Sequence, residues 1–147
     1  EQEAELSRRK EEEEQHREAA LENQRAEELA RRKEQERRQA ELTRQRRIAN
    51  LLTEAGDDIK ALRLFSPKGN DALEKYREVL RLEPGNTQAK RGLEAIVGRY
   101  IAMAESTVGM HQYSKAEEYL AMAEGILPRG TGIKRALQKL EKARLAY

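Results

Sequence analysis

No glycine or proline occurs before Gly56, and residues 1–47 are mostly Glu, Arg, Gln, Ala, Lys and Leu. All six are good helix formers, so nothing in this stretch stops a helix once it has begun, and one uninterrupted helix is expected. Acid-first pairs at i, i+4 spacing reinforce it: Glu5 with Arg9, Glu13 with Arg17, Glu27 with Arg31, Glu28 with Arg32 and Glu34 with Arg38. These pairs support a helix without supplying a core. No single heptad register keeps its inner positions apolar: Ala19, Ala26 and Ala40 share one with Lys33, and Leu29 shares the other with Glu22, Glu36 and Thr43. A stable parallel coiled coil is therefore not specified.

Two readings of this segment stand. A charged helix with no apolar seam acts as a solvated spacer. The charge is also graded, since residues 1–22 hold nine acids and four bases while residues 31–47 hold three acids and eight bases. The helix dipole favours this arrangement only in the terminal turns, so it does not account for the whole gradient. Two copies laid antiparallel set each acidic half beside a basic one, with Leu21, Ala26 and Leu29 near the crossing. That gives a weak, salt-sensitive homo-oligomer. The basic strip Arg31–Arg47 has no interleaved aromatics and is interrupted by Glu34, Glu36 and Glu41. With a net charge of only +2, nucleic acid is not an expected partner.

Composition limits how much of the chain can be core. With 38% charged and 37% apolar residues, part of it must stay in water. The absence of cysteine removes disulfides and thiolate chemistry and leaves the compartment open. No run of about 18 apolar residues exists, so no membrane span is expected. The first residue is Glu1 rather than methionine, which points to a piece of a longer protein.

From Ile48 apolar residues recur at helical spacing, and glycines and prolines mark breaks. A folded domain is therefore read over 48–147, after a charged helix over 1–47. In the run from Asn70 to Asn86, Ala72, Tyr76, Val79, Leu80 and Pro84 occupy one spacing. Ala116, Leu120, Ala123 and Pro128 repeat it, following Tyr113. A small residue lets two helices approach, a larger one four residues later fills the groove between them, and the proline ends the helix by removing a donor.

This pattern resembles the second helix of a tetratricopeptide (TPR) repeat. Leu52, Ala55, Gly56 and Ile59 are similar to its first helix, with extra residues around Phe65–Gly69. Before the second match stand Tyr100, Met103 and Ala104, with Thr107 a poor fit, on a helix running from near Thr87 to about Val108. That helix exceeds the first helix of the ordinary repeat of about 34 residues by roughly ten. Residues 131–147 carry Ile133, Ala136, Leu137, Leu140, Ala143 and Tyr147 on one face and read as a cap.

The resemblance implies an all-α fold: a long charged N-terminal helix, then TPR-like antiparallel hairpins (an α-solenoid) over about 48–84 and 87–128, then a C-terminal capping helix. It also looks like repeat segments of bacterial multidomain proteins, which implies a bacterial cytoplasm or periplasm and a parent that can be membrane-anchored. The family's concave groove would fall on Thr53, Asp57 and Lys60, on Ile101, Glu105 and Val108, and on Arg135 and Lys139. The chaperone-tail clamp needs basic and amide residues where this chain has Thr53, Asp57, Ile101 and Glu105. A helix or extended peptide from another protein fits such a mixed groove better.

Catalytic candidates are few. His16 and His111 lie in different halves and read as surface residues, and the Glu11–Glu14 run is solvated. The glycines at 125, 130 and 132 follow no phosphate-loop pattern, and no metal-ligand spacing occurs. No catalytic residue, metal or cofactor is expected. The sequence thus reads as a non-enzymatic adaptor whose repeat body binds a partner protein while the charged helix sets a distance. The alternative is a structural rod or oligomerisation module whose groove is unused.

Overall fold

The computed structural model describes residues 1–61, 71–127 and 130–146, and every regular element among them is helical. The fold is all-α. Five helices are described: α1 Gln2–Lys60, α2 Ala72–Leu82, α3 Thr87–Gly109, α4 Tyr113–Ile126 and α5 Thr131–Ala146. The chain divides into two compact units, Glu1–Gln45 and Arg46–Tyr147. The dividing point lies two residues before the composition change at Ile48. The extra loop residues read around Phe65–Gly69, the break at Pro128 and the cap-face residue Tyr147 fall outside the described residues.

In the first unit α1 is held by its own side chains. Arg9 donates to Glu5 at 3.1 Å, Arg32 to Glu28 at 2.8 Å and Arg38 to Glu34 at 3.2 Å. The Glu13–Arg17 and Glu27–Arg31 spacings carry no ion pair; Glu34 instead takes Arg37 as well, at i, i+3, and Glu41 takes Arg44. These contacts hold the carboxyls of Glu34 and Glu41 below the usual carboxylate range, chiefly through the arginine hydrogen bonds. Nothing in this unit is buried.

The second unit starts where the apolar stripe starts. Ile48 and Ala55 on α1 enter a core with Ala72, Leu73, Tyr76 and Val79 of α2 and with Leu93, Ile96, Val97 and Tyr100 of α3. The last turns of α1 are tied to α2 by the buried pair of Lys75 Nζ and Asp58 Oδ2 at 2.5 Å, and near the start of the stripe Arg47 reaches Glu78 at 3.4 Å. Asp71 caps α2 by accepting from the Glu74 N–H at 2.9 Å, and α2 ends at Leu82, ahead of Pro84. Asn86 caps α3 in the same way, accepting from the Ala89 N–H at 2.8 Å. These are the side-chain oxygens that helix starts require.

α3 is the central helix, packed on α2, α4 and α5, and it buries residues from Ala89 to Thr107. Two positions explain how it can be so enclosed. Gly92 lies against the ring of Tyr76, and a Cβ there would stand 2.5 Å from both Cε atoms. Thr107, the poor match of the sequence pattern, is buried and places its hydroxyl on the Met103 and Ala104 carbonyls at 3.1 and 2.8 Å. A buried hydroxyl so satisfied behaves almost as an apolar side chain. The small residues Ala116 and Ala123 are fully buried on α4, and Ile133, Ala136 and Leu140 are buried on α5.

Two outcomes follow for stability. Gly92→Ala forces the buried Tyr76 ring to move, and overpacking of about 1–3 kcal/mol outweighs the helix-propensity gain of about 1 kcal/mol. Gly98→Ala, on the same helix with open space around its Cα, gains that propensity undiminished. Urea unfolding of the two variants should therefore move in opposite directions. Tyr100 supplies the pH dependence. Burial, then the Asp71 carboxylate, then Tyr119 push its phenol up to about 12. A raised folded-state value means the stabilisation is complete below the ordinary phenol value near 10 and is lost as pH rises through about 12. The urea midpoint should fall over that window, and Tyr100→Phe should flatten the fall.

Candidate functional site

Within the second unit, the C-terminal half of α3 faces α5 across a gap that neither helix fills. Ala104 of α3 and Ala136 of α5 are both almost fully buried, and their single methyl groups leave room between the helices. Leu120 of α4 forms the floor. Gly109, the last residue of α3, has open space where a side chain would begin. The result is a cleft of about 290 Å³, with Val108 completing its apolar wall. Its rim is charged: Lys139 Nζ donates to Glu105 Oε1 at 3.2 Å, with 65% and 46% of the two side chains exposed. An ion pair this exposed is weak and can be opened by a competing partner.

The sequence-derived groove residues divide sharply here. Glu105, Val108 and Lys139 line the cleft. Ile101 is half-buried beside it and packs on both apolar clusters, close enough to α5 that a Gly132 Cβ would meet its Cδ1 at 3.2 Å. Arg135 is exposed on α5, one turn before Lys139. Thr53, Asp57 and Lys60 are exposed on α1 and are not among the described lining residues. Thr53 donates its hydroxyl to the Ala49 carbonyl of its own helix at 3.0 Å. The lining residues that sequence reasoning missed are Ala104, Gly109, Leu120 and Ala136. Facing alanines were the available signal, because two small residues on adjoining helices leave either close packing or a hollow.

His111 is exposed, as the sequence suggests, and it also shapes the end of α3. It adopts the left-handed region, φ 61°, where α3 ends. The Gln112 N–H donates to the Thr107 carbonyl at 2.8 Å and the His111 N–H to the Val108 carbonyl at 3.0 Å. This is a Schellman helix end with histidine in the place usually taken by glycine. Its Nδ1 lies 2.9 Å from the Tyr113 hydroxyl, which donates to the Ala143 carbonyl of α5 at 3.4 Å. Its role is to join the α3–α4 turn to α5. Among the described residues no group of three or more His, Asp or Glu side chains is placed to hold a metal ion, and no helix is long and apolar enough to cross a membrane.

Reversing either rim charge, Glu105→Lys or Lys139→Glu, should shift the thermal midpoint only slightly, in line with about 0–1 kcal/mol for an exposed pair, and the double swap should restore it. Thermal melts of the three variants check this. Comparison with known proteins returns no match to a family model, to a curated protein or to a solved structure.

Proposed function

We propose that the chain is a non-catalytic adaptor. In this reading residues 46–147 form a TPR-like body that holds a side chain of a partner's helix or extended peptide in the cleft between α3 and α5, and residues 1–45 act as a charged spacer. One observation carries the reading: an apolar cleft floored by Ala104, Leu120 and Ala136 opens beside an exposed pair of opposite charges, Glu105 and Lys139. Burial of an apolar anchor supplies affinity, and the rim charges orient the segment that carries it. At about 290 Å³ the cleft falls at the lower edge of the ~300–1,000 Å³ typical of small-molecule sites, so it suits one or two side chains better than a cofactor.

The TPR-like reading draws on the burial of Ala72 and Ala116 at the repeated small positions and on a cleft whose lining includes Glu105, Val108 and Lys139, three of the eight groove positions that the resemblance implies. It implies nothing about catalysis, and the scattered positions of His16, His111 and the carboxylates favour none.

The test fills the cleft. Val108 is half-exposed at its wall, so Val108→Trp plugs the opening without touching the floor. Immobilised wild-type chain should retain a defined protein that the Val108→Trp chain releases, with helicity and thermal midpoint held near wild type. The double charge reversal at Glu105 and Lys139 should weaken the same capture. An identical captured set from the plugged chain refutes the cleft as the binding site.

A further inference from the structure

The charges of α5 are one-sided. Lys134, Arg135, Lys139, Lys142 and Arg144 stand against a single acid, Glu141. Two of these bases have partners on other helices: Arg144 reaches Glu117 of α4 at 2.5 Å, and Lys139 reaches Glu105 of α3 at 3.2 Å. Arg135 and Lys142 are exposed, and their side chains take no ion pair or hydrogen bond among the described residues. They stand four residues before and three residues after Lys139, so the three share one face of α5, and Lys139 places that face at the rim of the cleft. Glu141, two residues beyond Lys139, lies about 160° around the helix from it. Across the gap, Glu105 is the one acid of α3 beyond Glu94, and Lys139 already holds it. The α5 side of the cleft mouth therefore has two bases with no counter-charge.

An apolar hollow with uncompensated positive charge beside it favours an apolar anchor that has carboxylates close to it. We propose that the occupant of the cleft is an acidic segment of another protein: one apolar side chain sits over Ala104, Leu120 and Ala136, and carboxylates on either side of it meet Arg135 and Lys142. The inference rests on the reading of the cleft as a partner site and adds the partner's chemistry. The two bases are seven residues apart, about 10 Å along α5, which spaces the carboxylates by about two turns of a helix or three residues of an extended chain. The charged helix of a second copy does not fit. Each leucine of residues 1–45 has a base three or four residues on: Arg9 after Leu6, Arg25 after Leu21, Arg32 after Leu29 and Arg46 after Leu42. On a helix those positions share the anchor's face and would set base against base.

The test uses the full chain and three labelled peptides, each with one central leucine, flanked on both sides by glutamates, by glutamines or by lysines. In fluorescence anisotropy at low salt the glutamate peptide should bind roughly tenfold more tightly than the glutamine peptide, as two exposed ion pairs allow, and the lysine peptide should bind most weakly. Arg135→Gln combined with Lys142→Gln should bring the glutamate and glutamine peptides level. Replacing the peptide's leucine by alanine, or plugging the cleft with Val108→Trp, should weaken the glutamate peptide roughly tenfold or more. At about 1 M salt, where the screening length falls to about 3 Å, the glutamate preference should vanish while the leucine requirement persists. Circular dichroism and thermal melts check that the variants keep the fold. Equal binding of the glutamate and glutamine peptides, both still dependent on leucine, would overturn this inference and leave the adaptor reading standing. A glutamate preference that survives Arg135→Gln with Lys142→Gln, or that ignores both the leucine and Val108→Trp, would overturn it too. Failure of all three peptides to bind would do the same, and capture by the wild-type and Val108→Trp chains then decides the adaptor reading separately.

Discussion

The ring of Tyr76 lies flat on Gly92, and the rest of the second unit is arranged around that contact. It exists because α3 has no side chain at the place where α2 crosses it. The approach lets α2 bury Ala72, Leu73, Tyr76 and Val79 on one side of α3, which leaves the other sides for α4 and α5. A unit of about a hundred residues has little apolar surface to spare, and a helix covered by three others uses it most fully. Glycine within a helix costs roughly 1 kcal/mol relative to alanine, and here a fully packed tyrosine offsets that cost.

The join between α1 and α2 uses a different force. Lys75 and Asp58 bond at 2.5 Å with side chains only 11% and 5% exposed, and Glu54 stands 3.9 Å from the same ammonium. Desolvating two charges offsets most of their attraction, so such a pair adds little to stability beyond what an apolar pair of the same shape would add. Its effect is on register: rotating or sliding the end of α1 leaves a charge buried without this partner. The first half of α1 has no core to fix it, so a directional bond where the apolar stripe begins to bury is a physically economical way to set the packing. The same carboxylate, after burial itself, pushes the Tyr76 phenol up and ties the two contacts together electrostatically.

Much of the helical order was legible because its punctuation is chemical. Pro84 follows a helix end and Ala72 and Ala116 are small where two helices meet, whereas the helix-start acceptors Asp71 and Asn86 were not read from the sequence. The cleft was legible only in part. Glu105, Val108 and Lys139, like Thr53, Asp57 and Lys60, were assigned to one groove by carrying the positions of a resembling repeat onto this chain, and that does not reveal which helices border a common gap. The gap depends on volumes facing each other across α3 and α5, a property of pairs of residues distant in sequence. His111 illustrates the same limit: a residue type gives no sign of a left-handed helix end when glycine, its usual mark, is absent, and Gly109 two residues earlier invites the wrong placement.

Residues 1–45 raise the question of why a helix so rich in charge leaves its charges so unevenly matched. Intrahelical pairing would be complete if acids and bases alternated at every i, i+4 step, and a solitary spacer gains nothing from any other order. This chain instead pairs Glu34 and Glu41 of its basic half, though not Glu36, and leaves a run of unpaired glutamates in the acidic half. Like charges one turn apart weaken a helix by about as much as an opposite pair strengthens it, so Glu14 and Glu18 act against the element that carries them.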